Sequence, residues 1–279
     1  VIRVVTDSVA DIPPKLAEEL AITIVPFYVR FDDEVYRDGV DLSTEEFYRK
    51  LTSNRRLPVS STPSPGEIAE VYDRLAEETD EILSIHVSSK LTATYEVALQ
   101  AQEQMKRRGK CRIELIDSQS GAMGEGLVVI TAAREAQTGA SLDRVADLAR
   151  KAVLRSHVRM CFDTLEYLRK GGRIGRAQAL LGSVLRVNPI VGVKDGEVHP
   201  FGRERSRAKA IDRLFDFVRS LPSVRELAVE HATTPDEAEV LADRLGVLFP
   251  RERIYISTVA PAVGVHVGPR VIAVSALEG

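Results

Sequence analysis

The sequence predicts an α/β protein: a parallel-sheet, Rossmann-like domain over residues 1–153, a second α+β domain over residues 154–279, and a ligand held between them. Up to residue 153, short apolar strands, polar turns and amphipathic helices alternate, which is the pattern of a parallel sheet covered by helices. Past residue 154 the texture changes, and Asp195-Gly196 between two apolar runs marks a type I′ hairpin and therefore antiparallel pairing. No Gly/Ser/Pro-rich linker separates the halves, so they are expected to pack closely around a cleft.

The elements follow in order. Val1–Val5 is a strand running into Thr6-Asp7-Ser8, and the next helix starts near Asp11 with Pro13 and Pro14 in its first turn. A second strand, Ile22–Val29, leads through Phe31–Tyr36 and Arg37–Asp41 to a helix opened by the capping box Ser43–Glu46, an excursion from the α/β core. Ser64 and Glu67 form another capping box with Pro65 at the first helical position, leaving Ser61 and Thr62 facing whatever precedes that helix. The strand Ile82–Val87 enters the hydroxyl-rich turn Ser88–Tyr95, and Val97, Ala98, Ala101 and Met105 then recur at helical spacing up to Gly109. Strand Arg112–Ile116 ends in Asp117-Ser118, and a helix begins near Met123. In the second half, His157–Phe162 is a strand and Leu165–Ile174 a helix broken by paired glycines. Strands 188–193 and 197–201, a helix from Arg207 to Leu221, strand Glu226–Glu230, a helix opened by Thr234–Glu237, and strands near Ile254 and Val271 complete the chain.

Composition narrows the function. With 44% apolar and 28% charged residues and a net charge of −3, the chain is neither a basic nucleic-acid binder nor an acidic disordered segment, so nucleic acid is not an expected partner. Tryptophan is absent and Tyr and Phe are few, which argues against a stacking platform for bases. No apolar run approaches the roughly 20 residues that span a bilayer, and the chain opens into a strand rather than a signal peptide; a cytoplasmic location is expected. Cys111 and Cys161 show no CxxC spacing and are expected to be buried free thiols.

The turn Ser88–Tyr95 is the first candidate site, because its hydroxyls join the unpaired N–H groups of a helix N-terminus, and both kinds of donor hold a carboxylate or phosphate. The plainer reading is helix capping alone. Thr6-Asp7-Ser8, Ser61-Thr62, Ser88–Thr94 and Asp117-Ser118 would share the carboxyl edge of the parallel sheet, where ligands collect in such folds. No phosphate loop, HExxH, EF-hand loop or GxSxG elbow is present, and the histidines at 86, 157, 199, 231 and 266 show no metal-ligand spacing. Gly121–Gly126 lacks the GxGxxG order of a dinucleotide loop. Lys170–Arg176 sets three cations on a Gly-rich turn that would suit a phosphate or an acidic surface, and His266-Val-Gly-Pro269 sets an imidazole in a turn.

Taken together, Thr6–Ser8, Tyr36–Asp41, Ser61–Pro65, Ser88–Tyr95, Asp117-Ser118, Leu168–Ile174 and His266–Pro269 resemble, in order and end to end, the motifs of the DegV family. The resemblance implies a fatty-acid-binding protein of two α/β-type domains with an acyl tunnel, acting as the carrier subunit of a bacterial fatty acid kinase. It implies a long-chain fatty acid as ligand, no cofactor and no metal, a separate fatty acid kinase as partner, and leaves transient membrane contact open. The implied carboxylate site is Thr62, Thr92 and His266, with Ser61 and Ala93 beside them; Lys170 and Arg173 are the implied contacts to the kinase or the acyl phosphate. Thr92 stands where the family usually has serine, Ala93 where it has glycine, and Arg270 where it has the second glycine of HxGPG, an added guanidinium near the head group.

The chemistry of the residues is compatible with this. Each buried methylene contributes on the order of 0.8 kcal/mol, so an acyl chain supplies most of the affinity and the head group sets orientation. Neutral donors hold a carboxylate without burying an unpaired cation. ATP and Mg²⁺ contacts would belong to the kinase, and no independent catalysis is expected. Two alternatives stay open: a stand-alone hydrolase or transferase using the same polar edge, and a ligand-sensing regulatory protein read through the Gly171-Gly172 loop.

Overall fold

In the computed structural model, which describes residues 1–54, 56–109, 111–181 and 187–279, the chain opens with β1 (Arg3–Asp7), α1 (Pro14–Glu19) and β2 (Ile22–Val25). It then leaves this sheet for a small antiparallel one made of β3 (Tyr28–Phe31), β4 (Glu34–Arg37) and, beyond α2 (Thr44–Ser53), β5 (Val59–Ser61). From there α3 (Pro65–Leu75) leads to β6 (Glu81–His86), α4 (Thr94–Arg108) and β7 (Arg112–Asp117). The sheet order β2-β1-β6-β7 is parallel throughout, as alternation predicts. Because the chain steps outward to β2 and later returns on the other side of β1, the crevice between the carboxyl ends of β1 and β6 is the topological switch point.

The segment 22–29 forms two strands, not one. Pro26 interrupts the run, and the next backbone N–H, that of Phe27, donates to Ser8 Oγ at 3.1 Å, turning the chain out of the sheet.

After α5 (Met123–Gln137) and α6 (Leu142–Val153) come β8 (Ser156–Cys161), α7 (Glu166–Lys170), β9 (Asn188–Lys194) and β10 (Glu197–Glu204). The chain ends with α8 (Arg207–Ser220), β11 (Val224–His231), α9 (Pro235–Leu245), β12 (Ile254–Thr258), α10 (Pro261–Val267) and β13 (Ile272–Glu278). The β9–β10 hairpin has the predicted turn, with Asp195 and Gly196 at φ of 52° and 78°. The six-stranded order β10-β9-β8-β13-β11-β12 is antiparallel except at β11–β12. That pair corrects the expectation of an antiparallel sheet: α9 carries the chain over the sheet, and a crossover helix joins parallel strands. Thr234, expected to open this helix, sits at the N-cap of α9 but accepts no backbone N–H there.

The layers run helices α3 and α4, the parallel sheet, α5 with α6, the mixed sheet, and helices α8 and α9. The central layer decides the packing: every residue of α5 from Met123 to Ala133 is buried, because strands β1 and β6 lie on one side of it and β8, β11 and β13 on the other. A helix buried all round needs small residues where a sheet approaches. A Cβ at Gly126 would lie 2.4 Å from the Ala10 carbonyl oxygen, and one at Gly124 would lie 2.1 Å from a Val158 methyl. Gly124 and Gly126 are therefore packing residues. Gly126→Ala is expected to destabilise the fold by about 2 kcal/mol even though alanine favours helix, an overpacking cost. A fall in the urea midpoint at unchanged m-value checks this.

Candidate functional site

A cavity opens at the switch point, between the two large sheets and under the small one, with about 690 Å³ of space outside the atoms, open solvent at its mouth included. Its walls come from every part of the chain. Val9 follows β1, Val87 and Leu91 follow β6, Phe27 begins the excursion, Gly121 and Ala122 precede α5, Met160, Val191 and Val198 belong to the mixed sheet, and Ala262, Val263 and Val267 lie on α10. These walls are aliphatic or aromatic. The polar side chains among the lining residues are Ser60, Thr92, Arg173 and His266.

Three of those four, Ser60, Arg173 and His266, also line a second, polar depression that opens outward between Arg56–Val59 and Lys170-Gly171. The polar residues thus stand where an apolar interior meets a cationic surface. Ser60 Oγ and His266 Nε2 are hydrogen-bonded at 2.8 Å. Arg173 donates from Nε to the Leu91 carbonyl at 3.2 Å and from Nη1 to the Gly171 carbonyl at 2.9 Å, tying the Gly-rich loop to the hydroxyl-rich turn. Lys170 is paired with Glu166 at 2.5 Å.

His266 lies in a helix, which corrects the turn expected from its flanking glycine and proline. Pro261 starts α10, and Gly268, at φ 79°, stops it. The imidazole is held against α7: a Cβ at Gly171 would come 2.4 Å from its Nδ1, and one at Gly268 would enter the Tyr167 ring. Burial, and secondly the Arg173 charge, lower its pKa to about 4, so it is neutral at pH 7.

The turn Ser88–Tyr95 both caps and lines. Thr92 Oγ1 accepts the Thr94 N–H at 3.1 Å, and it also faces the cavity. Ala93 is exposed at the N-cap of α4 and contributes no side-chain bond. Ser61 is exposed and Thr62 half-buried; neither is among the residues lining the cavity. Ser60, which the motif reading passed over, is the residue of that segment that meets His266. Period-two alternation in β5 contains the signal, since Ser60 falls on one face and Val59 and Ser61 on the other.

Other polar strand ends expected to form an open edge are bonded internally. Thr6 Oγ1 donates to Glu125, Asp7 accepts from His86 Nδ1 at 2.9 Å, Ser88 Oγ donates to the Gly196 carbonyl, and Ser89 donates to Asp117. His86 Nε2 is also bonded to Ser84 Oγ at 2.8 Å, which in turn accepts from Tyr72 OH. Ser84, His86 and Asp7 thus stand in the order of a hydrolytic triad, yet all three are fully buried and Ser84 lines none of the cavities described. A nucleophile that no substrate reaches is a structural hydroxyl. Arg270, expected near a carboxylate, instead pairs with Asp163 at 3.0 Å on the outer surface. Of the thiols, Cys161 is buried and Cys111 only half-buried, beside β7 rather than in it. Among the described residues no group of three or more His, Cys, Asp or Glu is placed to hold a metal, and no helix is long and apolar enough to cross a membrane.

The sequence profile of the DegV family matches residues 1–279. A DegV domain-containing protein of Streptomyces coelicolor is 35% identical over 277 residues, covering 98% of this chain and 97% of the relative. Among solved structures, a fatty-acid-binding DegV family protein from Thermus thermophilus superposes with a TM-score of 0.91 at 30% identity, covering 100% of this chain and 99% of that one. DegV of Bacillus subtilis, described as a fatty acid binding protein, superposes at 0.87 with 29% identity and 99% coverage of both chains.

The depressed pKa of His266 has a sign that can be checked. The unfolded imidazole protonates near pH 6.5 and the folded one only near 4, so stability is full above 6.5 and is lost as pH falls through 4, by at most about 3 kcal/mol. Glu230, raised to about 7 by burial, acts oppositely and loses its contribution as pH rises from 4.5 through 7. Urea melts at pH 7, 5 and 4 should therefore show a shallower acid loss in His266→Gln than in the parent.

Proposed function

Since the chain belongs to the DegV family, we propose that it binds a long-chain fatty acid, the acyl chain in the apolar cavity between a domain of residues 1–153 and one of residues 154–279, the carboxylate at the cavity mouth. The observation that carries this is the polarity gradient: aliphatic walls inside, and Ser60, Thr92, Arg173 and His266 gathered at the boundary with a cationic depression. A sugar would leave those walls without apolar partners, whereas each methylene buried against them contributes on the order of 0.8 kcal/mol. Thr92, Thr62 just past β5, and His266 donate to the carboxylate, the single imidazole N–H being shared between the ligand and Ser60. Ser60, already bonded to His266, joins them.

The carboxylate is presented outward, and this orientation suits a partner. In the proposed reaction a carboxylate oxygen attacks the γ-phosphorus of ATP held by a separate fatty acid kinase, ADP leaves, and an acyl phosphate remains on the carrier. Arg173 and Lys170, on the rim, meet that partner or the new phosphoryl group; ATP and Mg²⁺ are the partner's to hold. The chain is then a carrier without catalysis of its own.

Gentle extraction of the purified protein followed by mass spectrometry is expected to release a stoichiometric fatty acid; finding none, together with no uptake of added fatty acid, ends the proposal. Removing the head-group hydroxyls tests the site. Thr62→Ala with Thr92→Ala is expected to raise the fatty-acid Kd about tenfold, the loss of about 1.4 kcal/mol of hydrogen bonding. Unchanged binding and unchanged phosphorylation by the kinase would move the carboxylate elsewhere.

A further inference from the structure

Two motifs take no part in the cavity mouth, Thr6–Ser8 with the following Asp11, and Tyr36–Asp41. The structure brings both to one place. Asp38 Oδ2 accepts the Ala262 N–H at 3.1 Å and the Ser8 hydroxyl at 2.8 Å. Asp11 Oδ1 accepts the Ala260 N–H at 2.9 Å, and its carbonyl accepts from Ser257 Oγ. Ala260 is the N-cap of α10 and Ala262 lies in its first turn, so two buried carboxylates from the first 40 residues satisfy N–H groups that a helix start leaves without intrahelical partners. Tyr48 OH donates to the Val259 carbonyl at 3.0 Å just before them.

Helical geometry carries this grip to the mouth. Ala262 and His266 are four residues apart, on one face and about 6 Å along the axis, and both line the cavity. A helix of two turns, packed at Gly264 against Phe47 and at Gly268 against Tyr167, moves as a rigid body, so where it begins sets where His266 ends up. Ser8 also accepts the N–H of Phe27, another lining residue, so the same clasp holds a second part of the wall.

We propose that Asp38 is a positioning residue for the carboxylate site: by holding the Ala262 N–H, and being itself held by Ser8, it seats α10 so that His266 meets Ser60 across the mouth. Asp38 touches neither the cavity nor the ligand, and acts through α10 and, by way of Ser8, through Phe27. Its value as a ligand site rests on the fatty-acid reading above, but the seating of His266 does not.

The test follows the His266 imidazole by NMR titration in lipid-free protein, beside fatty-acid release. The ionisable groups around the clasp, Asp7, Asp11, Tyr48 and Glu230, are unchanged in all variants. In Asp38→Ala the imidazole should lose its burial and titrate at least one pH unit higher than in the parent, with fatty acid released about tenfold faster. Asp38→Asn, which keeps an acceptor for Ala262 and Ser8, should restore both. A folded Asp38→Ala whose His266 titrates as in the parent overturns the proposal, as does an Asn variant that behaves like Ala. Where Asp38→Ala does not fold, Ser8→Ala decides: an upward His266 shift supports the clasp, and no shift overturns it. Should the parent bind no fatty acid, the functional reading fails while the imidazole titration still judges the clasp.

Discussion

The rest of the molecule depends on a helix buried on all sides. With a parallel sheet on one face of α5 and a mixed sheet on the other, the stretch from Met123 to Ala133 has no side left for polar side chains, and the two that occur there, Glu125 and Thr131, are each bonded through one oxygen, Glu125 Oε2 being left without a partner. Glu125 accepts from Thr6, and Glu230 accepts the Met123 N–H and the Ser275 hydroxyl, so the start of α5 is pinned to β1 and to β11 alike. Burial raises the pKa of both carboxyls, Glu125 well above its ordinary value and Glu230 to about 7. These bonds fix the spacing of the two sheets where α5 begins. Ahead of it Gly121 and Ala122 are too small to fill that space, and Ala122, at φ 53° and ψ −154°, takes a backbone conformation costly for any residue with a Cβ. The gap they leave is part of the cavity.

A gap between sheets would fill with water or collapse without a roof, and the excursion from Pro26 to Ser64 supplies one. Its small sheet and α2 bring Phe27 to the cavity wall, Phe47 against α10, and Ser60 to the mouth. The same excursion delivers Asp38 to α10. One insertion therefore both closes the cavity and sets its polar end. This is why residues as distant as Ser60 and His266, 206 positions apart, meet in a hydrogen bond.

What was legible in the letters was local. Asp195-Gly196, the Ser64 capping box, the stop of α4 at Gly109 and the alternation of strand and helix each follow from a few neighbouring residues, and each is found. Properties set by remote partners were not. The hydroxyls of Thr6 and Ser88 look free in a row of polar strand ends until Glu125 and the Gly196 carbonyl, 119 and 108 residues away, take them. Arg270 looks like a spare cation beside His266, but α10 ends at Gly268 and sends it outward to Asp163. Ser60 looks like one more serine in a polar run until the register of β5 against β3 pairs it with Val29. The parallel pairing of β11 with β12 was equally hidden, since it depends on which way α9 crosses the sheet.

The composition of the mouth argues for the direction in which a bound acid would lie. Placing a carboxylate deep in the cavity would strip its water without a charge to replace it, at a cost of several kcal/mol. At the mouth, hydroxyls and a neutral imidazole replace part of that water, and the exposed Arg173 adds a screened attraction worth less than a buried pair but needing little desolvation. A protonated His266 would be a stronger anchor, yet its burial and the nearby guanidinium disfavour that charge above about pH 4. A fatty acid bound as proposed would be held at its head group by neutral donors and along its chain by area. Its carboxylate oxygens would then stay at the surface with their nucleophilicity little reduced, as the proposed transfer to a partner requires.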